Sequence, residues 1–343
     1  MHSRPSATSE GKLIRQIERI MRFRGGPSAE VSIGDDAAVF KPEPKQRILV
    51  SSDALVEHVH FDLRYFLPHD LGWKALAVNL SDIAAMGGRP LYFTTSIALP
   101  LALPRRFVAE FYRGMARLAR VHRVALIGGD TCFSPHDLFI DITILGAVLG
   151  PRQVTRSQAK AGDCIFVTGE LGGSAMGLEL LRKFGRKGRS RALARRHLRP
   201  EPRCRIGRHL AEQRLASAMI DVSDGLSTDL NHLCAQSGVG AEIWRPELPV
   251  ARVLKEDRKL LSGDPIEFCL HGGEDYELLF TVPSRLRRRI PAMLFGVPIH
   301  HIGIVTKDRN VWLLDGSART RFHPGGFDHF SRSGPHVPEI AIG

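Results

Sequence analysis

Asn79-Leu80-Ser81-Asp82-Ile83-Ala84-Ala85-Met86-Gly87-Gly88-Arg89-Pro90 sets a carboxylate into an apolar helical stretch. Reading back to Leu71, the apolar positions Ala75, Leu76, Val78, Leu80, Ile83 and Met86 run round most of a helix, which predicts an element packed on several sides. Asn79 and Asp82 are three apart and share one edge of it. A carboxylate there is costly unless it is paired, hydrogen-bonded or metal-bound. Gly87-Gly88 and Pro90 end the helix. Alone, the stretch also fits an Asp that caps a neighbouring loop; further Asp-bearing junctions along the chain weigh against that.

Working outward, the chain of 343 residues is too long for one ordinary core and predicts two domains. Its 43% hydrophobic and 24% charged content is that of a globular protein in water. The most apolar stretch, 91–103, is broken by Pro100, which argues against a helical membrane span, and residues 1–5 carry no apolar signal core. The five cysteines include no Cys-x-x-Cys pair, which disfavours a zinc ribbon or a disulfide framework and points to a reducing cytoplasm. The net charge is +12, but nine Lys or Arg and no acid lie between Arg182 and Arg199, so most of the excess sits in one segment. Gly185 and Gly188 interrupt that segment and Phe184 is its one aromatic residue. It reads as a solvated, partly mobile insertion or as a weak polyanion patch, and nucleic acid is disfavoured as a partner because bases would have nothing to stack on.

Residues 12–23 predict an amphipathic helix with Leu13, Ile14, Ile17, Ile20 and Met21 on one face. Gly34-Asp35-Asp36 then interrupts a strand-like pattern, and a strand at 47–50 runs into Ser51-Ser52-Asp53, with Asp53 at its end and His60 beyond. A strand at 91–99, a helix at 105–121, a strand at 124–127 leading into Gly128-Gly129-Asp130-Thr131, and a strand at 139–149 follow. The pattern restarts at Gly150-Pro151-Arg152, which predicts domains 1–150 and 151–343, the second holding the basic insertion 182–199. That domain reads as strand 164–167, helices 175–181 and 204–215, the stretch 218–227 turning into helix 228–237, then Gly272-Gly273-Glu274-Asp275-Tyr276 and a strand at 277–282. The fold class is α/β, built as α+β layers with helices on one face of the first sheet.

Asp35, Asp36, Asp53, Asp82, Asp130, Asp221 and Asp224 mark the acidic junctions, most of them at strand ends or beside glycines, where a short side chain projects from a rigid edge and backbone can approach a ligand. Converging carboxylates repel one another unless hard divalent cations join them, and magnesium suits aspartate and phosphate oxygens better than zinc does. The glycine pairs at 128–129, 172–173 and 272–273 leave amides free to face phosphates. This inventory favours nucleotide-dependent phosphoryl transfer. The chain nevertheless lacks Gly-x-x-x-x-Gly-Lys-[Ser/Thr], Gly-x-Gly-x-x-Gly and the kinase His-Arg-Asp set. Spacing alone leaves open a fold of acidic loops without catalysis.

Ile33-Gly34-Asp35-Asp36-Ala37, Ser51-Ser52-Asp53, the helix from Lys74 to Gly87, Ile127-Gly128-Gly129-Asp130-Thr131, Thr155-Arg156-Ser157, Ile220-Asp221-Val222-Ser223-Asp224-Gly225-Leu226 and Gly272-Gly273-Glu274-Asp275-Tyr276-Glu277-Leu278 together resemble the thiamine-monophosphate kinase family, in order, from about residue 10 to Phe330. The resemblance implies the two-domain fold of the aminoimidazole ribonucleotide synthetase superfamily, a homodimer formed through the amino-terminal sheets, and ATP-dependent conversion of thiamine monophosphate to thiamine diphosphate. It implies that Asp36, Asp53, Asp82, Asp130, Asp221 and Asp224, helped by Ser51 and Ser52, hold several magnesium ions. It implies ATP contacts from Gly129, Asp130, Arg156 and Ser223, and thiamine-phosphate contacts from His60, Glu274 and Phe327.

Ser52 stands where the family often has Thr, and Phe327 where Tyr or Trp is common. Selenophosphate synthetase would need a reactive cysteine far earlier than Cys132, and the hydrogenase-maturation relative a carboxy-terminal cysteine in place of Ile340-Ala341-Ile342-Gly343. A purine-pathway kinase or synthetase of the same superfamily is the remaining alternative.

Overall fold

The computed structural model describes residues 9–23, 26–27, 29–33, 37–150 and 152–327. The chain divides into two units, Met1–Gln153 with Leu198–His209, and Val154–His197 with Leu210–Gly343.

In the first unit α1 (Ser9–Met21), β1 (Gln46–Val56), α2 (Pro68–Ala85), β2 (Arg89–Pro100), α3 (Arg105–His122), β3 (Ala125–Ser134) and β4 (Phe139–Leu149) follow in order. The sheet order is β1-β4-β2-β3, antiparallel except where α3 carries the chain across from β2 to a parallel β3. Pro68 opens α2 at a position where its missing amide costs nothing. As its all-round apolar pattern requires, α2 is buried along nearly its whole length. Its buried Asp70 pairs with Arg199 from the returning segment, and Trp73 Nε1 donates to the carbonyl of Pro200 at 2.7 Å. Against α3 the approach is backbone to backbone: a Cβ on Gly72 would lie 1.8 Å from the Phe111 carbonyl oxygen, and one on Gly114 1.9 Å from that of His69.

Two strands run further than their residues predict. Asp53 lies inside β1, paired with Ile142, rather than at a strand end, and Gly128 to Thr131 lie inside β3, with Asp130 opposite Ser96. Pairing with apolar neighbours on β2 and β4 overrides the weak strand propensity of Ser, Asp and Gly. Gly129 is required there: its φ is +152°, and a Cβ would sit 2.1 Å from the Thr95 carbonyl oxygen.

From Val154 onward the chain forms β5 (Cys164–Thr168), α4 (Gly173–Phe184), α5 (Ala192–Leu198), α6 (Cys204–Glu212), β6 (Ala218–Asp221), α7 (Leu226–Ser237), β7 (Gly240–Trp244), α8 (Lys255–Arg258), α9 (Pro265–His271), β8 (Leu278–Val282), β9 (Met293–Leu294), β10 (Val297–Thr306), β11 (Val311–Asp315) and β12 (Ala318–Arg321). α6 starts within the segment that returns to the first unit. The second sheet is ordered β12-β11-β7-β10-β5-β8-β6, antiparallel except between β7 and β11, with β9 against β10. Its core gathers Ile165, Val167, Ile220, Leu226, Leu230 and Leu279.

The expected solvated, partly mobile insertion at 182–199 has a packed inner side. A 3-10 turn over Gly185–Ser190 leads into α5, where Leu193 and Ala194 are buried, Leu193 in one cluster with Met176 and Leu180. Arg191 pairs with Asp257, and Arg196 with Glu170 at 2.5 Å. Leu193, Ala194 and Leu198 form a buried apolar stripe at helical spacing, with His197 buried beside them, which a count of charges overlooks. Among the described residues no helix is long and apolar enough to cross a membrane.

Candidate active site

In the first unit two periodicities meet. Alternation along β1 puts Ser51 and Asp53 on one face, and the three-residue step on α2 puts Asn79 and Asp82 on one edge. Ser51 Oγ donates to Asp82 Oδ2 at 2.5 Å, and the Asp53 amide donates to Asn79 Oδ1 at 3.2 Å. Asn79 Nδ2 donates back to the Ala75 carbonyl at 3.0 Å, which turns its oxygen toward β1. Ser51, Asp53 and Asp82 thus form one corner of hard oxygen donors. Ser52, a single residue away, belongs to the other face, where its Oγ lies 3.0 Å from Asp141 Oδ1 and 3.1 Å from Thr143 Oγ1.

Asp130 is exposed on β3 and accepts from the Thr131 amide at 2.9 Å. The register links Asp53 to Ile142, Ile142 to Thr95 and Thr95 to Gly129, so Gly129 and Asp130 lie on the strand at the opposite sheet edge from Asp53. Three interstrand steps of about 4.8 Å make that separation about 14 Å. His60 follows β1; its Nδ1 accepts from the Val56 amide at 3.0 Å, which leaves the proton on Nε2. Buried Lys74 donates to the His60 carbonyl at 3.2 Å and lies 5.4 Å from the Phe66 ring centre. Asp36, with Gly34 and Asp35, lies outside the described residues.

In the second unit Asp221 closes β6 and the chain turns through Ser223-Asp224-Gly225 into α7. Sequence reasoning missed Asp229, in the first turn of α7. Its Oδ2 accepts from the amides of Ser223, Asp224 and Gly225, each at 3.1 Å, and so fixes the whole turn. The available signal was a second carboxylate five residues beyond Asp224 at a helix start, where amides face outward. Burial, and then the charges of Asp221 and Asp224, push its pKa up to about 8, making it a much weaker acid. Asp224, Asp229 and His232 offer ligand atoms within 4.8 Å of one another.

The strap before β8 lies along this turn, with the Glu274 amide donating to the Ser223 carbonyl at 2.7 Å and the Tyr276 amide to that of Val222 at 2.9 Å. Glu274 and Tyr276 both take left-handed backbone conformations, at φ +65° and +52°, which side-chain-bearing residues adopt infrequently. Between them Asp275 accepts from the amides of Gly172 at 2.6 Å and Ser174 at 3.0 Å, tying the strap to the start of α4. The Phe327 amide donates to the Asp224 carbonyl at 3.0 Å. The structure thus gathers Asp221, Ser223, Asp224, Glu274 and Phe327. Arg156 lies beside the same strand and helix: Ser237 Oγ donates to its carbonyl at 2.7 Å at the end of α7, and the Met219 amide donates to the neighbouring Thr155 carbonyl at 3.1 Å on β6, two residues before Asp221.

Asp275 carries a pH signature. Burial, opposed by its two amide donors, pushes its carboxyl up to about 7. A raised carboxyl stabilises the fold fully below the unfolded value near 4, and that stability is lost as pH rises through 7. Asp275→Asn removes the titration together with one amide contact. Its cost in urea unfolding is expected to be larger at pH 5 than at pH 8, by at most about 2 kcal/mol, because part of the residue reaches solvent.

The donor chemistry fits magnesium. The corner in the first unit and the turn in the second are dominated by carboxylate and hydroxyl oxygens, the hard donors that magnesium prefers.

Each unit carries an acidic cluster on its own sheet. Residues 34–148 match the family model for AIR synthase related protein, N-terminal domain, and residues 160–314 that for AIR synthase related protein, C-terminal domain. The thiamine-monophosphate kinase of Escherichia coli (strain K12) is 40% identical over 333 residues, 95% of this chain and 99% of that one. The crystal structure of thiamine-monophosphate kinase from Stenotrophomonas maltophilia K279a superposes with a TM-score of 0.78 at 36% identity, covering 90% of this chain and 98% of that one. AaThiL complexed with AMPPCP and TMP superposes with a TM-score of 0.75 at 35% identity, covering 96% and 99%. The chain belongs to the thiamine-monophosphate kinase family of AIR synthase-related proteins.

Proposed function

We propose that this protein transfers the γ-phosphoryl group of ATP to thiamine monophosphate, giving thiamine diphosphate and ADP. The observation that carries the reading is near-full-length identity of 40% to a thiamine-monophosphate kinase, supported by a 35% identical relative complexed with AMPPCP, an ATP analogue, and TMP.

The attacking atom is an oxygen of the substrate phosphate. A phosphate monoester loses its second proton near pH 6, so the nucleophile is already anionic and no general base is needed. The remaining problem is bringing two polyanions into line. Asp36, Asp53, Asp82, Asp130, Asp221 and Asp224, with Ser51 through its hydroxyl and Ser52 only through its backbone oxygen, since its hydroxyl lies on the other face of β1, would hold several magnesium ions, which when bound neutralise charge on both phosphates. Ser51 and Asn79 orient the first corner and Asp229 the second. Gly129, Asp130, Ser223 and the Arg156 guanidinium serve ATP. His60 and Glu274 face the thiamine phosphate, and the Phe327 ring stacks on its cationic thiazolium. With ATP, magnesium and thiamine monophosphate, the purified protein is expected to yield a new diphosphate ester by mass spectrometry and to stop when EDTA is added. Absence of that product sinks the reading, and a kinetically competent phosphoryl-enzyme after acid quench would replace direct in-line transfer.

The first sheet supports a homodimer. On the face opposite α2, Val50 is 66% exposed, with Phe139 and Leu149 also exposed, an apolar surface suited to a second copy. Val50→Asp is expected to shift sedimentation from dimer to monomer; unchanged sedimentation would remove this face from the interface. All five cysteines are free thiols, four of them buried, which supports a cytoplasmic location.

A further inference from the structure

The basic segment carries, two residues before its end, a residue that its charge count conceals. His197, on α5, is only 1% exposed, and its Nδ1 lies 3.1 Å from Glu274 Oε2 and 3.1 Å from Ser174 Oγ. Opposite a carboxylate, Nδ1 carries the proton, and Ser174 Oγ takes a second share of it as acceptor. Ser174 is itself fully buried, and its amide donates to Asp275 at 3.0 Å. Consecutive acids of the strap are therefore gripped from one side: Glu274 by α5, and Asp275 by the start of α4. The grip matters because the Glu274 backbone is held at φ +65°, a conformation that needs outside support. α5 is in turn anchored by buried Leu193 and Ala194, by Arg196 on Glu170 and by Arg191 on Asp257.

We propose that His197 is a positioning residue for the thiamine-phosphate site: its Nδ1–H fixes the side chain of Glu274, and segment 182–199 exists to deliver that donor. The proposal rests on the reading of Glu274 as a contact to thiamine monophosphate. It gives the basic arginines of the segment an anchoring role rather than one in polyanion binding.

The experiment compares His197→Ala, His197→Asn and His197→Gln with Glu274→Gln in the full chain. KM for thiamine monophosphate, KM for ATP, kcat and the melting temperature are measured for each. Asn places an N–H where Nδ1–H stands, whereas Gln reaches the position of Nε2. His197→Ala is expected to raise KM for thiamine monophosphate about tenfold, the worth of one charge-assisted hydrogen bond, with KM for ATP unchanged. His197→Asn should recover most of that loss and His197→Gln should not, and His197→Ala should add nothing in the Glu274→Gln background. Equal KM values for the Asn and Gln variants, or a parallel rise in KM for ATP, overturn the proposal, and this comparison holds even if the Ala variant does not fold. If Glu274→Gln raises KM and His197→Ala does not, the positioning role fails while the role of Glu274 stands. If Glu274→Gln itself leaves KM unchanged, the reading of Glu274 fails and the proposal falls with it.

Discussion

Asp82→Asn is expected to lower kcat by two to three orders of magnitude, about 3–4 kcal/mol of transition-state stabilisation, while the protein stays folded. Asn has the same shape and keeps an oxygen to accept from Ser51 Oγ, so the contact between β1 and α2 survives. What it lacks is the negative charge with which Asp82 would help hold a divalent cation. The loss should therefore appear in kcat together with a higher magnesium concentration at half-saturation, and circular dichroism should be unchanged. Asp82→Ala would blur the test, because removing the acceptor of Ser51 adds a stability cost of its own. Activity within threefold of the parent would reduce Asp82 to a structural acid. The corner formed by Ser51, Asp53 and Asn79 would then need another explanation.

That corner was half legible in the chain. A carboxylate on an all-round apolar helix announces an unusual environment, and the three-residue step from Asn79 to Asp82 already places both on one edge. Its partners on β1 were harder to read, because Ser51-Ser52-Asp53 looks like a strand end: the pairing with β4 that keeps it extended is a contact between residues far apart in sequence. The same limit hid Asp229 and His197. Each is an ordinary helix residue until the fold lays the Ser223-Asp224-Gly225 amides or Glu274 against it. β10 to β12 were also missed. His300 and His301 interrupt the apolar alternation of β10, and β12 is exposed throughout and held by its pairing with β11. Charge proved the least reliable guide of all: a segment with nine Lys or Arg turned out to be built round three buried apolar residues and a buried histidine.

Gly72→Ala carries the largest expected effect on stability, and it tests whether the site depends on how deeply α2 is seated. At the α2–α3 crossing a methyl on Gly72 would lie 1.8 Å from the Phe111 carbonyl oxygen, and Gly114 makes the reciprocal approach to His69 at 1.9 Å. Neither obstacle is a flexible side chain that can swing aside, so the helices must separate and the apolar contacts on both lose packing. A cost of about 3 kcal/mol or more is expected, seen as a drop of about 6–12 °C in the unfolding of the first unit. Hydrogen exchange of α2 amides should quicken with it, which assigns the loss to this unit. Gly316→Ala is the control: φ is +59° but nothing lies within 4 Å of the added methyl, so only the backbone strain of about 1 kcal/mol applies. Because α2 carries Asn79 and Asp82, Gly72→Ala should also lower kcat at temperatures where the variant is still folded, as these two side chains shift away from Ser51 and Asp53. Full activity in a destabilised but folded variant would mean that the corner tolerates movement of its helix, and that β1 alone sets its geometry.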